Sequence, residues 1–297
     1  MELNNNQPTR LDNRRCAYCF AEFLPPNKPQ KEHVIGRNFV PRGALEKFWN
    51  LHLNACNTCN QAKSRLENDI SAITMVSTQA NWPERDEKLA LQAKRKGKAI
   101  SLRTGKPVFD SCENLEIKGK LGAASIAFSL RAQPQLDEER IFELAYYQIC
   151  AFHFFLTYNH ISREGYRWIG KFMSVQALMR SDWGNPVAAA FASLVADWPY
   201  RLHANTAEGY LRVLIKKHPE EAVWSWALQW NKNWRVFGFY GDETVRMRLA
   251  AALVPGQAAL TWNALPEGWR SRREIPLDDA GDKIFWFRDD KTGAHSG

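Results

Sequence analysis

Two identical C-x-x-C pairs, Cys16/Cys19 and Cys56/Cys59, constrain this chain more than any other feature. Thiolates two residues apart can converge on one tetrahedral Zn²⁺, and two such pairs complete its shell. The chain opens Met1-Glu2-Leu3-Asn4, with no basic stretch and no apolar stretch of the secretory kind. Without a secretion signal, paired C-x-x-C units favour metal over disulfide. A closed Cys₄ shell leaves no position for water, so the expected zinc is structural. The 36 residues between the pairs exceed a simple ribbon, and a folded insert is expected there. Cys112 and Cys150 stand alone, and Cys150 lies in an apolar helical stretch where it reads as inert core.

Charge and tryptophan divide the chain in the same place. Hydrophobic residues make up 45% and charged residues 24%, which excludes wholesale disorder. The net charge is +8, and residues 1–106 carry all of it, with 18 Lys/Arg against 10 Asp/Glu. Residues 107–297 hold 22 of each. A basic module joined to a neutral body suggests a polyanion partner for the module. Only Trp49 and Trp82 fall in that module, whereas ten tryptophans lie beyond it. The early region therefore lacks large core side chains, and zinc would supply the missing folding free energy. The most apolar run, residues 141–158, contains Glu143, Gln148 and His153 and reads as a buried helix rather than a membrane span. A cytoplasmic protein with no membrane partner is expected.

The insert carries Lys31-Glu32-His33-Val34-Ile35-Gly36, which reads as a strand end, and Trp49-Asn50-Leu51-His52-Leu53, which reads as a second strand. After Cys56, a helix capped by Asn57 or Thr58 runs through Leu66, Ile70, Ile73 and Met75. The order is knuckle, strand, loop, strand, knuckle, helix. With its acidic-His pair, middle Asn-Leu and Cys-Asn-x-x-Lys, this segment resembles the HNH endonucleases, a branch of the ββα-metal nucleases. The resemblance covers roughly residues 14–75. It implies that His33 is the general base, that Glu32 and Asn60 hold a catalytic Mg²⁺ or Mn²⁺, and that Asn50 holds the loop and orients the His. Asn54 is the alternative for that middle position. Lys63 and Arg65 would contact backbone phosphates. His52 falls outside the matched positions and is expected to be structural. The segment departs from the family's usual pattern in having Glu32 for Asp and Gly36 for Pro.

The resemblance implies a metal-dependent endonuclease that hydrolyses phosphodiester bonds, with double-stranded DNA as the expected partner. It would nick as a monomer and make double-strand breaks as a dimer, in a setting of bacterial restriction or anti-phage defence. A different class of reading is a zinc-stabilised DNA-binding or interaction protein whose nuclease has lapsed.

Beyond the module, Lys88 to Lys106 holds seven basic and no acidic residues, among them Lys94, Arg95, Lys96 and Lys98, and forms a candidate phosphate track. Residues 84–106 read as a helix followed by a loop. Strands are expected at 114–118 and 124–132, and helices at 137–160, 163–180 and 186–196. From about Tyr210 the pattern turns to strands. Every even position from 224 to 230 is apolar, and Asn231-Lys232-Asn233 closes a hairpin with residues 234–240. The tail beyond Asp278 is polar, with Ile284, Trp286 and Phe287 as its anchors. The expected fold is α+β. It has a zinc-stapled HNH module (1–80), a basic helix and linker (81–112), and an α+β domain (113–297) for targeting, regulation or self-association with a second copy or another protein.

Overall fold

The computed structural model describes residues 2–3, 7–25, 28–75, 86–111, 114–121, 124–131, 137–253, 262–264, 270–272 and 274–285. Cys112, Trp82, Trp286 and Phe287 lie outside these residues. The chain is mixed α+β.

After a two-residue strand, β1 (Glu2–Leu3), the chain builds a small three-stranded sheet from β2 (Thr9–Arg10), β3 (Gln30–His33) and β4 (Leu51–Ala55). Its order is β2-β4-β3, with β2 parallel and β3 antiparallel to β4. Strand β4 alternates strictly. Leu51, Leu53 and Ala55 are buried, while His52 and Asn54 are half-exposed, the period of two that gives a sheet one core face and one open face. Helix α1 (Asn57–Thr74) starts at once and lays Leu66 and Ile70 into the core. Its N-cap is Cys56, whose sulfur accepts the Cys59 N–H. The expected caps, Asn57 and Thr58, are already helical.

Helix α2 (Glu87–Lys96) is capped by Asp86, which accepts from the Leu89 N–H. A hairpin of β5 (Asn114–Leu121) and β6 (Ala124–Arg131) precedes α3 (Glu138–Leu156), the most deeply buried helix. Next comes β7 (Lys171–Met179), a strand where the sequence predicts helix. Its apolar residues suit either period, and pairing decides between them, because β7 lies antiparallel along the length of β11. Gly170 makes the entry possible. It has φ +97°, and a Cβ there would sit 1.9 Å from the Gly241 carbonyl oxygen. Helix α4 (Pro186–Leu194) follows Asn185, which caps it, with Pro in the first turn. Then come β8 (Tyr200–Thr206), β9 (Leu211–Lys217), β10 (Val223–Trp230), β11 (Trp234–Gly241), α5 (Glu243–Leu253), β12 (Trp262–Ala264) and β13 (Arg270–Arg272).

The main sheet has the order β1-β8-β9-β10-β11-β7 and both faces are covered. One face packs on α3 and on the N-terminal module, in a continuous core that runs from Leu11, Val34 and Leu53 through Ile149 and Phe152 to Trp226, Leu228 and Trp230. The other face packs on α4 and α5 through Phe191, Leu249, Phe237 and Phe239, and Ile284 and Phe285 of the tail join it. Burial on both sides explains why β10 reads as an almost unbroken apolar run.

Candidate metal centre and hairpin–helix site

The four cysteines predicted to act together do so. The sulfurs of Cys16, Cys19, Cys56 and Cys59 lie within 4.8 Å of one another. The Cys19 and Cys56 sulfurs are 3.7 Å apart. A tetrahedron with metal–sulfur bonds of about 2.3 Å has edges of roughly 3.8 Å, so four thiolates at this spacing match a zinc shell. The first knuckle closes on itself. The Cys16 N–H donates to the Ala21 carbonyl at 2.9 Å, the Phe20 N–H donates to the Cys16 carbonyl at 2.9 Å, and Phe20 takes a positive φ of 63°. A hydrogen bond from Cys59 draws the Cys16 thiol down to about pKa 5, against the opposing effect of burial. A thiolate is thus already favoured at one corner.

Glu32 and His33 are neighbours in β3 and face opposite ways, as strand geometry requires. Glu32 pairs with Leu53 and His33 with His52, so Glu32 shares the core face and His33 the open face. Glu32 is 6% exposed and lies between β3 and α1. Its Oε1 accepts from the Tyr18 hydroxyl at 3.1 Å and pairs with the Lys63 ammonium at 2.7 Å. Lys63 also pairs with Glu67 at 2.7 Å and donates to the His33 carbonyl at 3.2 Å. This places Lys63 differently from the sequence reading. Its side chain is 1% exposed, so it serves a buried charge cluster and not a phosphate at the surface. Burial opposes its charge, but Glu67 and Glu32 outweigh that and raise its pKa. Burial also raises the pKa of Glu67, with Lys63 pulling the other way.

One turn before Lys63, Asn60 reaches the same strand face. Its Nδ2 donates to Gln30 Oε1 at 2.9 Å, which leaves its Oδ1 as an acceptor. The donors between β3 and α1 are thus a carboxylate and an amide oxygen, the type that hard divalent cations take. Glu32 and Glu67 share the single ammonium of Lys63 as their ion-pair partner.

Asn50 is buried just before β4. Its Oδ1 accepts from the Ile35 N–H at 3.3 Å and its Nδ2 donates to the Ile35 carbonyl at 3.0 Å. This two-way clamp fixes the chain just after His33. Asn54 does other work, tying to the Asn13 backbone and side chain. His33 is half-exposed, and its ring lies 4.1 Å from the His52 ring, centroid to centroid. Burial first, then Arg37, lowers the His33 pKa, and Glu32 opposes this. Burial, His33, Arg10 and Arg37 bring His52 down to about 4. Both rings are therefore neutral near pH 7.

Of the remaining predicted contacts, Arg65, Lys94, Arg95 and Lys98 are exposed. Lys96 is half-buried and donates to the Ser71 hydroxyl, and burial lowers its pKa to about 8. Sequence reasoning missed Arg10, Glu67 and Tyr18. A glutamate four residues after Lys63 was a readable helix-pair signal for Glu67. Nothing local marks the other two. No helix among the described residues is long and apolar enough to cross a membrane. Comparison with protein-family models, curated proteins and solved structures finds no match.

Proposed function

We propose that this chain is a metal-dependent endonuclease of the HNH type that hydrolyses phosphodiester bonds in DNA, acting in bacterial restriction or anti-phage defence. The observation that carries the reading is the clamp of Asn50 on Ile35, which presents a neutral His33 imidazole at the end of a hairpin whose other face offers oxygen donors. In this reading His33 Nδ1 or Nε2 takes a proton from the attacking water. Asn50 holds the loop so that the ring keeps its aim. Glu32 and Asn60 would hold Mg²⁺ or Mn²⁺, which supplies positive charge for the phosphorus transition state and the leaving oxygen. Lys63 then keeps Glu67 as its partner, so the buried ammonium is never left alone.

The test is nicking of supercoiled plasmid with Mg²⁺ or Mn²⁺ against an EDTA control. His33→Ala is expected to lower the rate at least ~100-fold, the scale of a lost general base, with zinc content and DNA binding retained. Cleavage by the variant at the wild-type rate removes His33 from the mechanism. The ion pair between Lys63 and Glu32 favours a second reading, a zinc-stabilised DNA-binding protein whose nuclease has lapsed, because the ammonium stands where a metal would compete. DNA binding without metal-dependent nicking selects that reading.

A further inference from the structure

The three strands of the small sheet stand in register on the open face. Arg10 of β2 pairs with His52 of β4, and His52 pairs with His33 of β3. One row therefore runs Arg10, His52, His33 across the sheet. Residues paired across strands share a face, and the next row on that face holds Lys31 opposite Asn54. Arg10, Lys31 and Arg37 are exposed, and His33 and His52 are half-exposed. Arg37 follows the clamped turn and acts electrostatically on both imidazoles, as Arg10 does. The basic groups acting on His52 are His33, Arg10 and Arg37. The core face of the same hairpin carries Glu32, so the two faces differ in sign.

We propose that this open face is the DNA-backbone site of the chain, with Arg10 and Arg37 taking the phosphates on either side of the bond presented to His33. Strands lie about 4.8 Å apart, so Arg10 starts roughly 10 Å from His33 and its long side chain brings a fixed charge within reach of a neighbouring phosphate. Guanidinium suits the task, because it stays charged and bonds phosphate oxygens in pairs. His52 fills the gap between base and arginine as a neutral ring and stops His33 from folding down onto the sheet. This assignment rests on the endonuclease reading for the role of His33, but the binding of phosphate does not depend on cleavage.

The experiment is a salt titration of a labelled duplex of ~25 base pairs against the full zinc-loaded chain in citrate-free buffer without Mg²⁺. The variants are wild type, Arg10→Ala, Arg37→Ala, the double variant and Lys94→Ala/Arg95→Ala. Each arginine that neutralises one phosphate contributes about 0.9 to the slope of log K against log salt. The double variant is expected to bind at least ~10-fold more weakly at low salt and to lose nearly two units of slope. Arg10→Lys should restore part of the affinity. Unchanged affinity and slope in the double variant, or a loss confined to the Lys94/Arg95 variant, overturns the assignment, as does wild-type preference for RNA of the same length. A separate plasmid assay keeps the two ideas apart. Absent nicking with these slopes intact sinks the nuclease reading alone, and normal nicking by the double variant sinks the phosphate site alone.

Discussion

Burial decides the protonation of the two best-placed histidines, and the same physics acts on a third, His153. His153 sits in α3 with its ring edge-on to Trp168, Trp224 and Tyr240, and Nδ1 lies 3.0 Å from the Tyr240 hydroxyl. No charged group contributes. Burial alone lowers its pKa from 6.5 to about 4. The unfolded chain therefore binds more protons than the folded one between these values. The stability His153 allows is complete above pH 6.5 and declines as pH falls toward 4. At about pH 4.5 the loss comes to roughly 2.5 kcal/mol by linkage. His153→Phe should flatten that part of the profile. Denaturant midpoints at neutral pH and near pH 4.5 measure it, and an equally steep loss in the variant would show that the burial argument is wrong.

A metal held by the four cysteines would act at the level of the element, because it would tie the first knuckle to the turn that starts α1. Cys56 is at once a candidate ligand and the N-cap, so metal removal frees the capping side chain as well as removing the cross-link. Purified protein is expected to contain one zinc per chain. Structural zinc in small modules supplies about 10–16 kcal/mol, comparable to the whole stability of a domain. Chelation should therefore raise hydrogen exchange first across residues 16–74 and then in β10, whose inner face packs on that module. Protein that lacks zinc, or exchange that chelation leaves unchanged, would falsify the Cys₄ assignment. This element was also the most legible part of the sequence. Knuckles, hairpin and α1 announce themselves through cysteine spacing, alternation and helical apolar spacing, all of which are local signals, although the cap of α1 is Cys56 and not Asn57 or Thr58. Strand β7 does not, because its apolar residues fit two periods and only its pairing with β11 settles the choice. Lys63 was readable as a helix residue with Glu67 as its i,i+4 partner, but not as a buried one, since Glu32 arrives from β3 through tertiary packing. The row from Arg10 to His33 was invisible for the same reason, as β2 is two residues long and has no pattern of its own.

At the scale of the molecule, the basic third and the neutral remainder share one interior. Trp49 packs on Phe152 and Phe155 of α3, Tyr18 on Tyr147, and Phe39 on Trp230. Polar ties cross the same seam. In the three-residue β10–β11 turn, Asn231 and Lys232 both take positive φ. The fully buried Asn231 amide donates to the Phe39 carbonyl at 3.0 Å and to the Thr74 hydroxyl at 2.9 Å. Asn233 donates to the Thr74 carbonyl at 3.2 Å, and the Thr206 hydroxyl donates to the Trp49 carbonyl. The turn thus grips the C-terminal end of α1 and the loop before β4. A module that borrows its core in this way has too little of its own, which also accounts for its scarcity of tryptophan. Residues 1–80 and 81–297, expressed separately, are each expected to be insoluble or to show collapsed spectra, the first even with zinc, because each leaves the other's half of the core in water. Co-expression should recover a soluble complex that matches the intact chain in near-ultraviolet circular dichroism. A well-dispersed NMR spectrum from zinc-loaded residues 1–80 alone would mean that zinc suffices and that the shared interior serves to couple the two parts and not to fold them.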